Sequence, residues 1–190
     1  MDQSKTNLPH FGPNPSKSMN TIWRIKTHLT GVIVHGQRDA YGYFDLGQYP
    51  HDSNMTISIL MNVLNAYETL PPTLYLQLDN CGRENKNRFV LAFLSMLVER
   101  GIFRKVKLGF LMVGHTHEDI DQMFSCYARH LQRNKAITMD ALVAGFEAAY
   151  SPRPTGIIVE KVWDFQDWVG QHLNQMENHS FPHQFRVRKV

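Results

Sequence analysis

The sequence predicts an α/β domain in which an antiparallel hairpin precedes an α-β-α-β-α succession. Three observations carry that prediction. Between residues 55 and 131, apolar stripes at helical spacing alternate with two short apolar runs, Leu74 to Leu78 and Val106 to Val113, and the continuity of the second suits a strand covered on both faces. Upstream, Trp23 to His35 and Ala40 to Asp45 flank Gly36-Gln37-Arg38-Asp39, a composition that suits a hairpin turn. The run from Val106 then turns at Gly114 into a helix through a polar cluster: His115, Thr116, His117, Glu118, Asp119 and Asp121. A polar cluster between a strand and a helix is where α/β folds place their chemistry.

Each element follows in order. Residues 1–20, with Pro9, Gly12, Pro13, Asn14 and Pro15, are expected to be an extended arm without secondary structure. The hairpin strands come next, and Asp52 or Ser53 is placed to cap a helix whose stripe is Ile57, Leu60, Met61, Leu64 and Tyr67. Pro71-Pro72 ends that helix, and Leu74 to Leu78 runs straight into Asp79. A second helix is expected from Lys86 to Arg100, with Gly101 as its stop. After the Val106 strand, Ile120, Met123, Phe124, Tyr127, Ala128 and Leu131 form the stripe of the third helix. A further helix, Met139 to Tyr150, ends at Ser151-Pro152-Arg153-Pro154. The organisation predicted is an arm (1–20), a core (21–150) and a tail (151–190) whose Trp163, Phe165 and Trp168 dock onto the core.

Composition limits the function classes. The 190 residues are 43% hydrophobic, enough for a real core, and no apolar run is long enough for a membrane span. With two cysteines, Cys81 and Cys126, a disulfide framework is not expected. The N-terminal residues lack the apolar segment of a signal peptide, so a nuclear or cytoplasmic location is expected. A net charge of +3 permits a polyanionic partner without demanding one. There is no glycine loop for a nucleotide cofactor.

The chemistry concentrates at two places. Asp79 ends one predicted parallel strand, and the His115 to Asp121 cluster follows the next, so both are expected at one sheet edge. Carboxylates brought together repel unless a cation lies between them, and hard divalent ions take oxygen ligands of this kind. Two such ions can hold the attacking and leaving oxygens of a phosphoryl transfer. By helical phase, Asp121 stays on the rim of the apolar stripe with His117, while Asp119 lies on the opposite rim. Arg83, Lys86 and Arg88 follow Asp79 and are candidates for phosphate contact, as are Arg129, Arg133 and Lys135 further on.

The segments LDNCGRENKNRFVLAFL and FLMVGHTHEDIDQMFS resemble a family of transposase-derived proteins of animal genomes whose members look like RNase H-fold (DDE/DDD-type) transposases. MDQSKTNLPHF, YFDLGQYPHDSNMT and the tail segments resemble the family too. The resemblance implies a mixed sheet of three antiparallel strands followed by αβαβα. It implies catalytic acids at Asp79 and Asp121, with Asp119 as the alternative, a Mg²⁺ or Mn²⁺ cofactor, DNA as partner and a nuclear location. His115 and His117 would support the metal. It also places the first, central strand and its acid just upstream of MDQSKT, so that strand is expected to be missing, Asp2 is a poor substitute, and no turnover is expected of the 190-residue chain. The chain then reads as a remnant or domesticated transposase domain.

Other readings are weaker. Gly114-His115-Thr116-His117 resembles the terminal metal motif of metallophosphoesterases, but their other motifs are absent. A cysteine nucleophile at Cys81 lacks an oxyanion-hole motif. A non-enzymatic scaffold that binds nucleic acid or protein is the main alternative.

Overall fold

The computed structural model describes residues 2–110 and 119–189. It is a mixed α/β structure with one four-stranded sheet, one three-stranded sheet and six helices among the described residues. The chain divides into two compact units, residues 1–48 with 116–160, and residues 49–115 with 161–190. No helix among the described residues is long and apolar enough to cross a membrane.

The first unit begins with a strand that the residue pattern does not predict. β1 (Asp2–Leu8) pairs antiparallel with β2 (Ile25–Val34) along its whole length, from Asp2 opposite Gly31 to Leu8 opposite Ile25. The expectation of a structureless arm is therefore corrected. The segment has little apolar content, but ladder bonds are made by the backbone, so a partner strand can override weak propensity. A short helix, α1 (Lys17–Asn20), leads into β2, and β2 turns through His35 to Arg38 into β3 (Asp39–Asp45). Arg38 sits at φ 60°, in the left-handed region of the turn. The sheet order is β1-β2-β3-β6, so β1 stands at an edge rather than in the centre.

Helices α4 (Asp119–Leu131) and α5 (Met139–Ala149) supply the first unit's core. Most of the predicted α4 stripe holds: Ile120, Met123, Tyr127 and Leu131 are buried with Leu29, Phe44, Leu142 and Phe146, Phe124 is half-buried, and Ala128 is exposed. Gly31 is a point of close approach between α4 and the sheet, since a Cβ there would lie 2.8 Å from the Phe124 ring and 2.9 Å from Met123 Cε. The Tyr127 hydroxyl donates to the Leu142 carbonyl at 3.3 Å, and burial pushes its pKa well above the ordinary value.

β6 (Thr155–Ile158) adds in parallel to β3. Glu147 of α5 ties it down, accepting the Gly156 backbone N–H at 3.0 Å and Arg153 Nη2 at 2.6 Å. These two donors, the backbone one foremost, hold the Glu147 carboxyl below its usual pKa. A depressed carboxyl stabilises the fold above its unfolded pKa of about 4.5, and that contribution disappears as pH falls through the depressed folded value. Glu147→Gln is thus expected to lower the urea midpoint at neutral pH and to flatten its decline as pH falls below about 4.5. Parallel pH titrations of the two midpoints check this.

In the second unit, α2 (Ser53–Asn65) is capped by Asp52, whose Oδ1 accepts the Asn54 N–H at 2.8 Å. The helix ends well before Pro71-Pro72, and Tyr67 lies outside it, because its buried stripe closes at Val63. β4 (Thr73–Leu78) and β5 (Lys105–Phe110) pair in parallel, with Leu78 opposite Phe110. Burial on both faces does not hold for β5, whose buried residues alternate with half-buried ones. Val106, Leu108 and Phe110 are buried, but Tyr75 is exposed and carries the Lys107 ammonium 4.7 Å over its ring. The long stem of Lys107 shields that face without sealing it.

α3 (Arg88–Glu99) starts later than the sequence suggests. Asn87 Oδ1 accepts the Phe89 and Val90 N–H groups at 3.1 Å each, so Asn87 is the cap and Lys86 precedes the helix. The segment after residue 150 is built into both sheets. α6 (Phe165–Gly170) packs on α2 and α3, with Phe165 5.5 Å from Phe93, and β7 (Gln184–Arg188) pairs antiparallel with β5.

Candidate functional site

Asp79 follows the last residue of β4 and is exposed. The strand beside it, β5, ends in register with β4 and leads into residues 111–118. Sequence reasoning places His115 and His117 there, and both lie outside the described residues.

The loop from Asp79 to Asn87 is held by its own polar groups. Asn85 is buried, and its side chain accepts the Thr56 hydroxyl at 3.0 Å while its Nδ2 donates to the Asp79 carbonyl at 3.2 Å. The Cys81 carbonyl accepts both the Asn85 N–H (2.8 Å) and the Lys86 N–H (2.9 Å). Asn87 Nδ2 donates to the Gly82 and Arg83 carbonyls at 3.2 Å each. A loop tied at so many points presents Asp79 in one backbone position. Next to it, Asn80 Oδ1 is buried without a hydrogen-bond partner among the described residues. A buried acceptor left unpaired costs roughly 1–3 kcal/mol, so this oxygen is suited to a ligand that satisfies it.

An aspartate carboxylate and an amide oxygen on consecutive residues are the ligand type that a hard divalent ion takes, the kind of cation the resemblance implies. Asp79 and Asn80 would hold Mg²⁺ or Mn²⁺, which when bound would neutralise charge on a phosphoryl group.

The three candidate phosphate contacts differ. Arg83 is exposed on the loop. Arg88 is half-buried, its guanidinium 4.9 Å over the Phe89 ring. Lys86 is 5% exposed, with its ammonium 5.3 Å over Phe110, so it belongs to the interior under the loop rather than to a solvated face. Burying an ammonium costs several kcal/mol, and a ring face returns up to about 2.

Asp119 and Asp121 belong to the first unit, in the first turn of α4. Asp119 is exposed, with its Oδ2 3.7 Å from His35 Nδ1, and both side chains are largely in water. A pair of that kind contributes little. Asp121 is half-buried next to the stripe residue Ile120. The helix start favours both acids through its dipole, whether or not they bind a ligand.

Sequence reasoning misses a pair in the same unit. His28 and Asp45 are opposite each other in the β2–β3 ladder, with His28 Nδ1 4.0 Å from Asp45 Oδ1. Asp45 is buried and also accepts the Gly47 N–H at 2.7 Å. Only the hairpin register could find this pair. The turn inferred from sequence, residues 36–39, puts the register two residues off.

A family model described as a domain of unknown function (DUF7869) matches residues 17–190. No curated protein and no solved structure matches the chain.

Proposed function

The chain belongs to the DUF7869 family, described as a domain of unknown function; from the resemblance of its central segments we propose that it is a remnant or domesticated RNase H-like domain of transposase descent, whose ancestral chemistry is metal-dependent phosphoryl transfer on DNA. Its acid in the second unit is Asp79, with Mg²⁺ or Mn²⁺ as the cation there and Arg83 as a DNA contact, and Asp121 is the acid carried by the first unit. The observation that carries this reading is Asp79 at the end of β4, beside Asn80, whose Oδ1 has no hydrogen-bond partner among the described residues, in a loop tied by Asn85.

The element order supports the reading as well. Three antiparallel strands, β1, β2 and β3, precede α2, β4, α3, β5 and α4, the succession that the resemblance implies. The sheet order departs from it, because β6 joins β3 in one sheet and β7 joins β5 in the other. A scaffold that binds metal and DNA without turnover is the second reading. The edge position of β1 favours it, since the resembled fold needs a central first strand to carry an acid.

Incubating the protein with supercoiled DNA and Mn²⁺ separates the two. Nicking or strand joining that Asp79→Ala abolishes would show that transfer chemistry survives, against the loss of turnover expected from the sequence. Metal binding without strand scission supports the scaffold. Absence of both metal binding and scission would remove the proposal.

A further inference from the structure

We propose that the first unit binds single-stranded nucleic acid at Trp23, just before β2, and at Lys5 and Lys26 of the β1–β2 ladder, with the Trp23 indole as a stacking platform. This rests on the first unit alone and does not depend on the metal reading.

The charge pattern comes first. Residues 3–38 carry Lys5, Lys17, Arg24, Lys26 and Arg38 and contain no aspartate or glutamate. The fold brings part of this charge together. In the β1–β2 ladder Lys5 stands opposite His28 and Asn7 opposite Lys26, so Lys5 and Lys26 are diagonal neighbours on one face. Lys5, Lys17 and Lys26 are all exposed, and none makes an ion pair among the described residues. Uncompensated cations on one face attract a polyanion and release its counterions on binding.

The aromatic group comes second. Trp23, just before β2, is 88% exposed. The other two tryptophans are exposed to a lesser degree and are occupied. Lys161 Nζ lies 3.7 Å over the Trp163 ring, and Trp168 packs edge-on to Phe165 at 6.2 Å. Trp23 has no ring or cation partner among the described residues. Its neighbour is anchored instead: the Arg24 guanidinium lies 5.0 Å over the buried Phe11, which fixes the backbone that presents Trp23.

Exposing a whole indole to water is unfavourable unless something covers it. Met19, Ile22 and Ile25 are exposed nearby, as a protein-docking patch would require. In the sequence they alternate with Lys17, Arg24 and Lys26, however, and residues 3–38 hold no acid. Nucleic acid offers both complements, a base π-face for the indole and phosphates for the lysines. A duplex hides its base faces, so the fit is to a single strand.

The test is fluorescence anisotropy in EDTA with labelled oligo-dT, oligo-U and a duplex of equal length. EDTA removes any metal-dependent contact, so this result and the metal result stand apart. The wild-type chain is expected to bind one or both single strands more tightly than the duplex. Trp23→Ala is expected to weaken that binding about 5- to 100-fold, as the removal of one base stack does, and Trp23→Phe to restore most of it. Lys5→Glu with Lys26→Glu is expected to weaken binding and to reduce the log–log salt slope by about 1.4, because two phosphates are no longer neutralised. Circular dichroism should show every variant folded, since all three side chains are exposed. The proposal is overturned if the wild type does not bind, if it prefers duplex, or if Trp23→Ala binds as well as wild type. Binding by an acidic protein in place of either single strand would also overturn it.

Discussion

Phe146→Ala is expected to destabilise the first unit by about 3–5 kcal/mol, the cost of deleting a fully buried phenyl ring and leaving a cavity. The ring is completely buried on α5 and meets Phe44 and Tyr127 edge-on, with centroids 5.6 and 5.5 Å away. It also lies directly against β3 at Gly42, where a Cβ would collide with the Phe146 ring. Because Gly42 has no side chain, nothing at that point of the strand can move into the space the ring leaves, so relaxation recovers little of the loss. Urea unfolding followed by near-ultraviolet dichroism reads the effect directly. A change below about 1 kcal/mol would mean that the site collapses or that the ring does not hold α5 to the sheet.

Asn85→Ala is the second large effect expected, about 1–3 kcal/mol in the second unit. Asn85 is buried between the Thr56 hydroxyl and the Asp79 carbonyl and bonds to both. Removing its amide strands the two groups and frees the loop that positions Asp79. The variant is therefore expected to lose metal affinity as well as stability. Asn85→Asp retains the acceptor for Thr56 but sets a buried carboxylate against the Asp79 carbonyl, to which it cannot donate. It should therefore be no more stable than Asn85→Ala and should also leave Asp79 loosely held. Hydrogen exchange across residues 79–87 would show the loosening, and protection equal to wild type in both variants would contradict this role.

Particular residues show how far the sequence can be read. The α4 stripe, the hairpin strands and the Asp52 cap are legible because each rests on local periodicity or local capping chemistry. β1 is not legible, since DQSKTNL has almost no apolar content and becomes a strand only through its backbone partner. The start of α3 is displaced for a related reason. Lys86 suits a helix by propensity, but the two bonds accepted by Asn87 set the boundary beyond it.

Within the candidate site, Asp79 is legible as the residue where an apolar strand stops. The role of Asn85 is not, because it depends on Thr56, distant in sequence. Lys86 resembles a surface cation by its basic neighbours, yet burial over Phe110 places it in the interior. The His28–Asp45 pair is hidden by the hairpin register, which composition alone leaves ambiguous by two residues.

Mn²⁺ titration of the wild-type chain and of Asp79→Ala, followed by electron paramagnetic resonance of the free ion, tests the central claim most directly. The wild type is expected to take up Mn²⁺, Asn80→Ala to bind it more weakly, and Asp79→Ala to bind at least about tenfold more weakly, the roughly 1.4 kcal/mol of one missing charged ligand. Identical uptake by the wild type and Asp79→Ala, or none by the wild type, would contradict a metal-binding acid at the end of β4.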